Sequence, residues 1–259
     1  MLIFKLTIVP IFILLITLSG RKWGSSIAGL LGALPAVAGP IIIFIAIEQG
    51  NAFAALTATS AVSAASCLLI FGVTYSWCSI KFSWFISLLY SLTAWLGLAV
   101  ILALTSPGLI TGTFMAIASL LITPKVLPQI KQSKPLRGDL RDLPWRMLVG
   151  AVLTLAITSL AATLGETWSG ILAVFPVFGV VLSVFTHNTL GSAQVTILYQ
   201  GMVKGLFSFV AYFTSLALIL PNTTIWIACT SSALIAVATQ IIVQLVSMQY
   251  SNLIKKNMS

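Results

Sequence analysis

Apolar residues run along this chain in long blocks, without the alternation of a strand or the narrow stripe of a surface helix. A helix needs about 20 apolar residues to cross a bilayer. On that measure nine blocks predict nine spans, at residues 2–19, 26–47, 52–76, 82–104, 107–122, 146–164, 168–187, 191–219 and 223–248. The fifth is short, and Pro107 suits its first turn. Residues 1–20 read as a span and not as a signal peptide. Only Lys5 lies near the start, no small-x-small cleavage site follows, and Arg21 and Lys22 come directly after. The one sizeable polar stretch, 123–144, is basic and punctuated by proline. The pattern predicts an all-α polytopic membrane protein with no soluble domain.

The chain matches itself when slid by one fixed offset. Gly24 falls on Gly165, Gly29 on Gly170, Leu31 on Leu172, Pro35 on Pro176, Phe44 on Phe185, Gly50 on Gly191, Ala52 on Ala193 and Val62 on Val203, with no gap. Apolar identities are cheap here, but each glycine or proline reports a backbone requirement. Two four-helix repeats are expected, at 1–104 and 146–259, joined by a connector helix and basic loop at 105–145. Five spans separate equivalent points, an odd number, so the second unit enters the membrane from the opposite side. Such inverted repeats recur in secondary transporters.

Pro35 and Pro176 lie near the middle of the second and seventh spans, and Pro40 also falls in the second. An interior proline removes a backbone bond and frees a carbonyl about four residues back, at Leu31 and Leu172. In lipid that carbonyl needs a partner. Paired interrupted helices point to a transport site; kinked packing helices are the alternative.

The eighth span places Gln200, Lys204, Ser208 and Tyr212 on one stripe, each a helical turn from the next, with Thr196 a turn earlier. A mid-span lysine is costly in lipid and marks a functional surface by default, so Lys204 is expected to face the bundle interior. Its equivalent is Ser63, in a third span whose Thr57, Ser60, Ser66 and Cys67 read as packing. Ser83, Ser87 and Ser91 recur in the fourth span, and Thr239, Gln240 and Gln244 in the ninth. Glu48 and His187 end the second and seventh spans. They suit gating or proton coupling, with plain helix-end roles as the alternative.

Composition supports this picture. Hydrophobic residues make up 59% of the 259 and charged ones 7%, against about 25% charged in soluble domains. A soluble enzyme, a nucleic-acid partner and a disordered scaffold are excluded. The net charge of +9 then reports orientation. With the N-terminus outside, nine spans put 11 of the 13 basic residues on the cytoplasmic side. With one histidine and four carboxylates, no catalytic, cofactor or metal-ligand pattern appears, so no enzyme is expected. Cys67, Cys78 and Cys229 are too scattered for a disulfide framework.

Residues 145–246 resemble the small GlpM-like inner-membrane proteins. The resemblance lies in WSGILAVFPVFGVVLSVFTHNTLGSAQVTILYQGMVKGLFSFVAYF (168–213), with a weaker copy at 28–54. It implies a bacterial-type inner membrane and a chain that looks like two four-span units fused. Single-unit relatives would be expected to pair antiparallel; a homodimer of this chain stays open. The function expected is a secondary transporter, in the export direction as one option. Its midplane site would be bounded by Pro35, Pro176, Ser63, Gln200, Lys204, Ser208 and Tyr212, with Tyr199 shaping the pocket. The substrate would be an unidentified small molecule or lipid. The alternatives are a non-transporting membrane subunit and a lipid translocase of an envelope-polymer or lipid pathway.

Overall fold

The computed structural model describes the backbone of residues 2–35, 38–130, 141–161, 168, 171, 172 and 174–258. Among the described residues are ten α-helices and no strand. They are α1 (Leu2–Trp23), α2 (Ser25–Gly32), α3 (Ala38–Gln49), α4 (Asn51–Cys78), α5 (Trp84–Thr105), α6 (Leu109–Val126), α7 (Leu143–Ala161), α8 (Val177–Leu190), α9 (Ser192–Ile219) and α10 (Ile225–Met258). Helices are what a chain this apolar must form, because lipid leaves no other partner for its amides. Five of them, α4, α5, α6, α9 and α10, are long and apolar enough to cross a membrane.

The nine expected spans are corrected in three places. The second is two short helices, α2 and α3, because Pro35 interrupts it. The seventh is likewise broken ahead of Pro176, which caps α8. The connector runs on to Val126 through Pro124, and its N-cap is Gly108, so Pro107 precedes the helix. A proline in the last turn costs one bond, and the Leu127 amide still reaches the Thr123 carbonyl at 3.0 Å. Gly165, Glu166 and Gly170, and Lys131, Lys134, Arg137 and Asp139 of the basic loop, lie outside the described residues, as do the side chains of Lys5, Pro40, Lys255 and Lys256.

α4 and α9 form the centre. About 67% of each apolar window is buried, against 17–28% for α5, α6 and α10. The reason is side-chain size. α4 presents Ala54, Ala58, Ala61, Ala64 and Ala65, all fully buried, and small residues let membrane helices approach closely. Two ends fix the directions. At one, Asn51 Nδ2 donates to the Thr223 carbonyl (3.1 Å) and Thr113 meets Thr214 (3.3 Å). At the other, Trp77 Nε1 donates to the Val126 carbonyl (2.9 Å), Ser25 Oγ donates to Gln194 Oε1 (2.8 Å), and Tyr75 abuts His187. α4 and α9 are therefore antiparallel. α6 runs parallel to α4, with Gly112 beside Ser63 and Ser119 bonded to Ser66. It lies along the half of α4 that runs from about Ser63 to Trp77. Arg21, Lys22, Lys81, Lys125, Arg141 and Arg146 consequently collect at the Trp77 end.

Helix boundaries recur at the sequence offset. α4 and α5 begin at Asn51 and Trp84, and α9 and α10 at Ser192 and Ile225, one repeat length further on in each case. α4 and α9 are equally long, at 28 residues. Each follows a glycine in an extended, positive-φ conformation, Gly50 (φ 89°, ψ 165°) and Gly191 (φ 84°, ψ 174°). That region is essentially closed to other residues, with a cost of about 1–3 kcal/mol each. Nothing lies within 4 Å of an added Cβ at either site, so the effect is backbone strain alone. Gly50→Ala and Gly191→Ala are expected to destabilise by similar amounts in that range, measured as loss of thermal stability in detergent.

Candidate functional site

The two helix breaks share one hydrogen-bond pattern. In the first, Ala33 N donates to Leu30 O, Leu34 N to Leu31 O and Gly39 N to Pro35 O, at 3.3, 3.3 and 2.9 Å. In the second, Val174 N donates to Ile171 O, Phe175 N to Leu172 O and Val180 N to Pro176 O, at 3.1, 2.9 and 2.7 Å. Each bond falls on its counterpart at the offset that carries Pro35 onto Pro176. The carbonyls of Leu31 and Leu172, expected to seek an outside partner, are therefore taken by their own turn. A three-residue turn closes on itself more cheaply than a carbonyl waits for a substrate in lipid.

The first break is held against α9 by direct backbone approach. An added Cβ on Gly29 would fall on the carbonyl oxygen of Leu198, one on Gly201 on that of Ser26, and one on Gly205 on that of Leu30. Gly201 and Gly205 form a Gly-x-x-x-Gly pair, the spacing that lets two membrane helices touch. The first break is thereby docked on α9. The second opens beside α4 and α5, where Gly179 faces Phe71 of α4 and Trp95 of α5 meets Phe175 edge-on at 5.2 Å.

A small cavity lies between α4, α6, α8 and α9. Its wall includes Phe71, Gly72, Thr123, Pro176, Gly179, Tyr199, Met202 and Leu206. Its free volume, about 10 Å³, holds roughly one water. Among the described residues around it, Thr123 and Tyr199 are the only side chains that carry an oxygen or nitrogen. Next to it stands a polar aromatic cluster. Ser183 and Tyr199 share a buried 2.6 Å hydrogen bond. The Tyr75 ring lies 6.4 Å from Tyr199 and 5.9 Å from His187, edge-on to the imidazole. Tyr75 Oη and His187 Nδ1 are buried without hydrogen-bond partners among the described residues. Desolvation makes such groups costly, about 1–3 kcal/mol each, so they suit a ligand or water that arrives.

A double-mutant cycle should expose the Ser183–Tyr199 bond. Tyr199→Phe and Ser183→Ala each strand one hydroxyl and are expected to cost about 1–2 kcal/mol. The double variant should cost clearly less than their sum, read by thermal or denaturant unfolding in detergent.

Of the residues expected at the site, only Pro176 lines this cavity, and Tyr199 shapes it. His187 joins the adjoining cluster. The stripe along α9 does not hold together. Gln200 is exposed, Lys204 half-buried, and Ser208 and Tyr212 buried, because four-residue steps along a helix of about 3.6 residues per turn rotate the stripe round the axis. Ser208 bonds its own Gly205 carbonyl at 2.7 Å. Tyr212 packs against Gly39. Ser63 bonds the Ser60 carbonyl and supports α6, a packing role. Pro35 sits in the first break, away from the cavity. Glu48 is exposed at the Asn51 end. Lys204 is mid-way along α9, so the structure does not bring the two together. Tyr75, Phe71, Ser183 and the glycine contact were missed in the sequence. The Gly-x-x-x-Gly spacing was readable; the aromatic cluster had no local signal.

The chain matches no protein-family model, no curated protein and no solved structure.

Proposed function

We propose that this protein is a secondary transporter of the inner membrane. It would work by alternating access around the antiparallel α4–α9 pair, with its basic end in the cytoplasm. The observation that carries this reading is the duplicated helix break, with three backbone hydrogen bonds around Pro35 matched around Pro176, the first break packed on α9 and the second beside α4. Helix ends that recur at one offset on antiparallel helices support an inverted duplication, and the GlpM-like resemblance fits two fused units. α1–α5 and α7–α10 would be the two units and α6 the connector.

The cavity beside Pro176, with room for about one water, would be the closed form of the substrate site and would widen to admit a ligand. Its apolar wall suits an uncharged molecule with an apolar body, and the Tyr75–His187 edge suits a single hydroxyl or carbonyl on it. Movement at the second break would open the cavity, because the chain there is held by turn bonds instead of a continuous helix.

The test begins with a thermal-shift screen of purified protein against neutral aromatic and aliphatic alcohols, with amino acids and anions as the contrast. Stabilising compounds would then be followed as counterflow in proteoliposomes. Stabilisation by the neutral set, lost in Tyr75→Phe and His187→Gln, with flux reduced in Pro176→Ala, is the expected result. Stabilisation by anions alone, or flux untouched by all three substitutions, would sink this site.

A further inference from the structure

α8 is gripped by three neighbours beyond the second break. Tyr199 of α9 holds Ser183, Tyr75 of α4 lies edge-on to His187, and Arg146 of α7 sets its guanidinium over the Phe185 ring, 5.0 Å from the centroid. Phe185 and His187 stand roughly 200° apart round the helix, so they meet different neighbours. Phe185 lies about 9 Å further along α8 than Gly179 of the cavity wall, toward the basic end.

Arg146 carries its charge in a costly place. It sits in the first turn of α7, where the helix dipole disfavours a cation, and it is only 6% exposed. Asp142, just ahead of the helix, pairs with it at 2.8 Å. The pairing is incomplete, since Arg146 Nε and Asp142 Oδ1 are both buried without a hydrogen-bond partner among the described residues. A contact built only for stability gains by satisfying both atoms, because each one stranded costs desolvation that nothing returns. A contact that opens lets water reach them. The closed form is thus weakened at the place where α8 has to move.

The repeat keeps this chemistry. The offset that carries Pro176 onto Pro35 carries Phe185 onto Phe44 and Arg146 onto Lys5. A cation and a phenyl ring therefore recur at matching sequence positions in the two halves. The other grips on α8 do not recur: Tyr75, Ser183, His187 and Tyr199 have Leu216, Ile42, Ala46 and Ala58 as their counterparts.

We propose that Arg146 and Phe185 form the gate on the cytoplasmic side of the cavity, a role that rests on the transport reading above. With the guanidinium on the ring, α8 is held to α7 and the cavity stays closed. When the contact breaks, α8 tilts away from α7 about the second break, and Arg146 turns to Asp142 and to water. Asp142 is a positioning residue, acting through Arg146. A cation on a ring in a dry site is strong enough to keep the closed form dominant and weak enough for ligand binding to outweigh it.

Cysteine labelling of the full chain in membrane vesicles tests this. Met202→Cys, on the cavity wall, is placed in a chain with Cys67, Cys78 and Cys229 replaced, and is treated with a charged methanethiosulfonate. Slow labelling is expected in this background. Arg146→Gln and Phe185→Leu should each raise the rate about tenfold or more in inside-out vesicles, as for loss of a desolvated cation–ring contact, and leave it slow in right-side-out ones. The double variant should add little to either single, because both remove one contact. Phe185→Tyr keeps the ring and should label slowly. Lys81→Gln removes an exposed charge at the same end and should also label slowly. Should Arg146→Gln fail to fold, Phe185→Leu against Phe185→Tyr makes the same comparison with the ion pair intact. A lowered melting temperature with unchanged labelling in Arg146→Gln and Phe185→Leu would overturn the gate, as would an equal rise in both vesicle orientations. Labelling needs no substrate, so raised labelling without counterflow would uphold the moving contact and count against the transport reading alone.

Discussion

Gly201→Leu is expected to abolish the folded protein or lower its thermal stability more than any other single change at the helix contacts. The added Cβ would land on the Ser26 carbonyl oxygen, which belongs to backbone. A flexible side chain could swing aside, but a helix carbonyl cannot move without carrying α2 with it. Overpacking costs typically about 1–3 kcal/mol where side chains can yield; here the cost should reach the top of that range or pass it. Gly29→Leu meets the reciprocal contact at Leu198 and should behave alike. Gly97→Leu is the control, since nothing lies within 4 Å of its added Cβ on α5. Gel filtration and thermal unfolding in one detergent compare all three. A Gly201→Leu variant as stable as Gly97→Leu would show that α2 does not dock on α9 this way.

The second large effect is expected at Phe71. Its ring is fully buried, 6.1 Å from Tyr75 and 6.4 Å from Tyr199, and it forms part of the cavity wall. Phe71→Ala removes dispersion contacts that lipid cannot replace at that depth and should cost about 3–5 kcal/mol. It also enlarges an apolar cavity, and dry apolar cavities take up small hydrocarbons. Toluene or indole should therefore recover part of the lost melting temperature in Phe71→Ala and leave wild type unmoved. Loss without recovery would mean that the space collapses, and that the cavity wall is softer than its packing implies.

Much of the fold was legible because glycine and proline are backbone statements. Pro35 and Pro176 mark breaks, Gly50 and Gly191 mark positive-φ turns, and these four sit at one offset without needing any side-chain contact. The span count was less legible, since a hydrophobic block does not say whether its helix is continuous. The site was read less well. A turn-by-turn spacing put Gln200, Lys204, Ser208 and Tyr212 on one stripe, but slow rotation separates exposed Gln200 from buried Tyr212. Freed carbonyls at Leu31 and Leu172 were expected to wait for a ligand, yet three-residue turns capture them. Tyr75 meets His187 and Tyr199, and Tyr199 meets Ser183, only because α4, α8 and α9 converge at one end, a fact of tertiary packing. The Gly201–Gly205 pair, in contrast, lay in plain view as a small-residue contact motif.

Alternating access of this kind needs two units that face opposite ways. Single cysteines at Gln49 and Thr189, in a chain with Cys67, Cys78 and Cys229 replaced by serine or alanine, sit at equivalent ends of α3 and α8. Both positions are exposed. In intact cells, a membrane-impermeant maleimide is expected to label Gln49→Cys from outside and to reach Thr189→Cys only after the membrane is opened. Labelling of both from the same side would contradict the inverted duplication and the transport reading built on it.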